Sequence, residues 1–243
     1  MDDTEHNAMN HRIYMPLCSA VLTPFYFNKN LQKGNLGNRR QFRFNAFVEQ
    51  LYLHSSYYMN NDNVLEELDV KPKEYVIVRY IAYDAHHDLV AYPLSEDVKK
   101  QIVKTISKYY RVLVSLEKDT NDAFYDNYLL RISPEKMHDL EAQAKFLVTE
   151  GATMASESFV HGVPYLYLNP LKCGYIDYQC NNYPDRCFQT TDEKEAMDII
   201  DVLLRTNVDS VSAKQEIEKR TIDPTLFFEH FVEKYPDSKY QNI

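Results

Sequence analysis

The sequence predicts an α/β protein, a parallel sheet with helices on both faces, on three observations. From Tyr75 onward, short β-branched apolar runs alternate with segments of helical spacing. The runs are apolar nearly throughout, as in strands covered on both sides, rather than at every second residue. Hydrophobic residues make up 44% of the 243 and charged residues 26%, enough to bury a core and too apolar for a disordered chain.

Each element follows in order. Residues 6–17 read as a helix and 20–23 as a strand. Residues 28–40 are polar and hold Gly34 and Gly37, two of only five glycines, so they read as a linker before the alternating Gln41 to Asn45. Residues 75–79 form a buried strand behind Lys71-Pro72-Lys73. Residues 95–109 form a helix, with Val98, Ile102, Val103 and Ile106 on one face and Ser95 at its start. A strand at 111–115 follows, then a helix at 134–144 opened by Pro134. Strand 146–149, helix 153–161, strands 163–168 and 187–189, and helices 193–204, 211–219 and 224–235 complete the chain. One sandwich from residue 45 to 243 therefore holds most of the molecule, with residues 1–44 set apart from it.

Lys and Arg total 27 against 36 Asp and Glu, a net charge of −9, which argues against nucleic acid or an anionic membrane as partner. No apolar run approaches the ~18–20 residues of a membrane helix. The acidic start, Met1 to His6, carries no secretory pattern, so a cytoplasmic protein is expected. Cys173, Cys180 and Cys187 lie too far apart for the usual zinc pairs, and no metal or cofactor is expected beyond the ligand. The Gly-rich dinucleotide and P-loop fingerprints are absent, as are the serine-hydrolase elbow, the zincin helix and the kinase motifs.

In open α/β sheets, ligands sit beyond the carboxyl ends of the strands. Four loops there are polar. The first runs from Arg79 through Asp84, His86 and His87; the second includes Glu117; the third is Thr149 to Glu157; the fourth is Asn169 to Gln179, with Tyr175. In the third, Gly151 permits a tight turn, Ala152 a close approach, and the Thr153 hydroxyl a helix cap, leaving N–H groups free for a diphosphate. Glu157, a helical turn further on, suits two ribose hydroxyls, or is simply a solvated first-turn acid. His86 and His87, beside Asp84, suit acid–base work, or are polar surface groups. His138 and Asp139 fit packing or capping better than a ligand.

The run from Thr149 to Glu157, Gly162-Val163-Pro164, Asn169-Pro170 and Gly174-Tyr175-Ile176 resembles a family of uncharacterised prokaryotic proteins in the GT-B superfamily. That family stands near UDP-N-acetylglucosamine 2-epimerase and related glycosyltransferases. The opening Asp2 to His6, Leu22-Thr23-Pro24, Ala82 to Asp88 and Pro134 to Asp139 resemble its motifs in the same order. The resemblance implies a Rossmann-like carboxyl-terminal half of a GT-B fold over 45–243, with 1–44 a remnant of the amino-terminal half. A homodimer or partner chain would then cover the remnant.

It also implies a nucleotide-sugar ligand, UDP-type, in glycan biosynthesis. Arg79, Glu117, Gly151, Ala152, Thr153, Ser156 and Glu157 would meet the nucleotide, and Asn169, Tyr175 and Gln179 the substrate. Asp84, His86 and His87 would carry catalysis. Here one glycine stands where the superfamily turn has two. The alternative is a truncated binding or regulatory module.

Overall fold

The computed structural model describes residues 3, 5, 8–14, 17–28, 40–82, 94–118, 121–235 and 237. Helix α1 (Ala8–Tyr14) leads to strand β1 (Ala20–Pro24), which pairs in parallel with β2 (Arg40–Phe44) in a small sheet of its own. Short helices α2 (Gln50–Leu53) and α3 (Asn63–Leu68) lead into the main sheet. Its strands are β3 (Tyr75–Tyr80), β4 (Arg111–Leu116), β5 (Leu147–Thr149), β6 (Tyr165–Tyr167) and β7 (Cys187–Gln189). All are parallel, in the spatial order β4-β3-β5-β6-β7.

Alternation along β3 builds two cores. Tyr75 and Ile77 pack on one face with Leu140, Phe159 and Ile176. Val76, Val78 and Tyr80 pack on the other with Ile102, Val103 and Ile200. Helices α4 (Glu96–Ile106) and α8 (Glu193–Arg205) therefore cover one face. On the other lie α5 (Met137–Glu141), α6 (Ala152–Val160), α7 (Gly174–Asn182) and α9 (Ser210–Arg220). A final helix, α10 (Pro224–Glu233), sends Phe227 and Phe231 back onto Leu22 and Phe44, closing an aromatic cluster over the small sheet. The α/β architecture with helices on both faces is as the sequence predicts.

Caps explain the sharp starts. The Ser95 side chain accepts the Val98 N–H, Asp192 that of Glu195, and Asp223 those of Thr225 and Leu226. Gly162 ends α6 at φ +74°. A Cβ there would sit 2.8 Å from the Lys214 nitrogen and closer still to the Ser210 carbonyl oxygen, so the position admits only glycine.

Three expectations need correction. The helix expected from Pro134 to 144 is a 3-10 turn at Pro134–Lys136 followed by only Met137–Glu141. The fourth loop ends early, because α7 begins at Gly174 and carries Tyr175 and Gln179 on a helix. Thr153 does not cap α6: the cap position is Gly151, without a side-chain bond, and Thr153 lies inside the first turn. Among the described residues no helix is long and apolar enough to cross a membrane.

Candidate functional site

The chain runs from β3 outward to β4, then returns past β3 to β5. The two strand ends between which the direction reverses are thus β3 and β5, the usual ligand crevice of such sheets. Glu150, wholly buried, forms its floor. Its N–H donates to the Arg79 carbonyl at 3.0 Å, and its Oε2 accepts the Ile81 N–H at 3.0 Å. Oε1 pairs with the buried Lys99 ammonium at 2.9 Å. Glu117 holds the next residue, accepting the Ala82 N–H at 2.8 Å. Two carboxylates therefore fix the chain where it leaves β3. The Arg79 guanidinium donates to the Ser115 hydroxyl on β4 at 2.7 Å.

On the β5 side, Thr149 Oγ1 accepts the Gly151 N–H at 2.9 Å and so shapes the turn into α6. Asn169 is buried, donating to the Glu150 carbonyl at 3.1 Å and accepting the Leu171 N–H at 2.9 Å. Both ends of its amide brace the loops, so Asn169 shapes the crevice from within. Thr153 is exposed, while Gly151 and Ala152 are half-buried at the head of α6.

Glu157 faces the flank of the sheet. Its Oε1 accepts the Tyr52 hydroxyl at 3.0 Å and lies 3.2 Å from His138 Nε2, with the Tyr52 and His138 rings stacked at 5.5 Å. Oε2 makes no hydrogen bond among the described residues. Burial and the neighbouring Glu157 carboxylate keep the Tyr52 phenol protonated, as a donor. The acidic neighbours continue inward: Glu141 on α5 is buried, its two oxygens without hydrogen-bond partners, and burial raises its pKa strongly.

Ser156 and Gln179 are wholly buried. The Tyr165 hydroxyl donates to Gln179 Oε1 at 2.8 Å, and Gln179 Nε2 donates to Ser156 Oγ at 3.0 Å. Tyr175 is buried against Tyr26, their rings 5.8 Å apart. Ser156 thus faces inward from α6, while Tyr175 and Gln179 are buried on α7. Beside them, the Glu5 carboxylate accepts the Asn28 N–H at 2.8 Å and the Gly174 N–H at 3.3 Å. Gly174 makes this contact possible, since a Cβ would lie 2.7 Å from the Tyr26 carbonyl oxygen.

Arg79, Glu117, Gly151 and Asn169 are thus brought together at the crevice, with Glu157 one turn along α6. Asp84, His86 and His87 lie outside the described residues. Sequence reasoning missed Tyr52, Lys99 and Glu150. The one local signal was Glu150, an acid at the end of an apolar strand. Among the described residues no three His, Cys, Asp or Glu side chains are placed to share a metal ion.

The fold is that of the GT-B proteins. The structure is similar to UDP-N-acetylglucosamine 2-epimerase from Rickettsia bellii, with a TM-score of 0.60 at 12% identity, over 98% of this chain and 66% of that one. The UDP-GlcNAc 2-epimerase from Methanocaldococcus jannaschii gives 0.58 at 11% identity, over 95% and 67%. The S. aureus MnaA–UDP co-structure gives 0.52 at 9%, over 88% and 59%. The wall teichoic acid polymerase TagF gives 0.51 at 13%, over 99% and 63%. The chain therefore spans about three fifths to two thirds of the length of these proteins. No curated protein matches it in sequence. Residues 1–235 match the family described as Protein of unknown function (DUF354), and the chain belongs to that family.

Proposed function

We propose that this protein recognises a nucleotide sugar, of UDP type, and acts in glycan biosynthesis as a relative of glycosyltransferases or sugar-nucleotide epimerases. The observation that carries the reading is the pairing on α6 of a helix start without a side-chain cap, at the sheet's reversal point, with Glu157 one turn further along. The first-turn N–H groups and the positive helix end suit a diphosphate. Glu157 Oε2 suits the ribose hydroxyls, which are donors that a carboxylate accepts well. The fold shared with UDP-GlcNAc 2-epimerases, and with MnaA in its UDP co-structure, supports the same ligand class. The acid–base role stays with Asp84, His86 and His87.

Calorimetric titration with UDP, UDP-N-acetylglucosamine and a purine diphosphate tests this. Glu157→Gln should weaken the bound ligand at least tenfold, since a hydrogen bond to a charged group is worth about 1.5–3 kcal/mol. An unchanged dissociation constant would refute the ribose assignment.

A further inference from the structure

Glu49, at the cap of α2, has no role in the site as described, yet it is built into it. Only 4% of it is exposed, and its Oε2 is sealed without a hydrogen-bond partner. Glu49 and Tyr52 stand three residues apart, so both reach the same neighbour, α6. There Tyr52 binds Glu157, and the Glu49 carboxyl lies beside the adjacent Ser156.

Behind Ser156, Tyr165 donates to Gln179, and Gln179 donates to Ser156 Oγ, so a buried chain of hydrogen bonds ends beside Glu49.

Among the described residues, the titratable groups facing Glu49 are Asp3, Tyr26, Tyr52, Glu157 on α6 and Tyr175 on α7. Two are carboxyls, three are phenols and none is a cation. We propose that Glu49 is a positioning residue that, as a neutral acid, holds Glu157 in its ligand-ready place, and that its ionisation weakens ligand binding.

This rests on the reading of Glu157 as the ribose contact. Burial above all, then Asp3 and Glu157, raises the Glu49 carboxyl from the ordinary 4.5 to about 8, within a working pH range. Once ionised, it would set a second negative charge behind the Tyr52–Glu157 contact, in a compartment too apolar to screen it.

UDP binding is measured from pH 6 to 9 on the unaltered chain and on Glu49→Gln, which keeps the volume but cannot ionise. The unaltered chain should lose at least about fivefold in affinity across that range, the effect of one added charge nearby. Glu49→Gln should match it at pH 6 and stay level. A fall of equal size in both overturns the proposal.

If UDP binds neither chain at any pH, the nucleotide reading fails, and the Tyr52 ring resonances of the ligand-free chain judge Glu49 alone. A transition near pH 8 present in the unaltered chain and absent from Glu49→Gln supports the coupling. The same pH response in both chains overturns it.

Discussion

The Lys99–Glu150 pair offers the sharpest test of how the crevice is built. The Lys99 side chain is 6% exposed and that of Glu150 not at all, with 2.9 Å between the charges. Lys99 also stands over the Tyr80 ring, 4.8 Å from its centre, while the Tyr80 hydroxyl donates to the Lys99 carbonyl. Lys99→Met keeps most of the side-chain volume but leaves a carboxylate with no ammonium in a dry site.

Stranding a buried charge in this way costs about 3–5 kcal/mol. Stabilities of about 5–15 kcal/mol are usual, so the loss is a large fraction of the total. Glu150→Gln should cost less, about 1–2 kcal/mol. Its amide oxygen can still accept the Ile81 N–H, and Lys99 retains Glu96 at 3.7 Å. The double variant should regain at least about 1.5 kcal/mol over Lys99→Met, since no buried charge is then stranded. Urea unfolding at pH 7 reads all three. With an m-value of about 2–3 kcal/mol/M, Lys99→Met should lower the midpoint by about 1–2 M. A loss below about 1 kcal/mol, or strict additivity in the double variant, would show that the pair does not hold the crevice floor.

Gly162→Ala should destabilise by at least about 2 kcal/mol, from left-handed strain plus contact with the Ser210 and Lys214 backbone; thermal melting checks it, and a change under 1 kcal/mol would contradict the tight α6–α9 approach. Tyr165→Phe leaves buried Gln179 Oε1 without its donor and should cost about 1–3 kcal/mol. A neutral result in urea unfolding would mean that the Tyr165–Gln179–Ser156 chain is not formed. In the ligand-free chain, the Glu49 proton makes stability fall as pH rises from about 4.5 to about 8, because the folded state holds that proton and the unfolded state releases it. Glu49→Gln should flatten this slope, and parallel pH curves for the two chains would refute the assignment.

The sequence by itself determined what local pattern can carry. Tyr75–Tyr80 and Arg111–Leu116 are apolar enough to be buried strands in any neighbouring context. Ser95 announces helix α4, because a side-chain acceptor before an amphipathic run satisfies the first free N–H groups wherever the helix docks. Gly151 is visible as a turn, and Glu157 as an acid one helical turn past Thr153.

Helix α7 escaped notice, for it opens with glycine and mixes Tyr, Asp, Gln and Asn without one apolar face. It holds its place through the buried Gln179 bonds and the Glu5 carboxylate at its start. The partners of Glu157 were likewise invisible: Tyr52 lies 105 residues away in sequence. Glu150 and Lys99 are joined only because β3 and β5 become neighbours while α4 crosses one face. Hydrophobic periodicity and capping are short-range signals, set within a few residues along the chain. Which buried charge finds which partner depends on strand order and helix placement, and only the packed chain decides those.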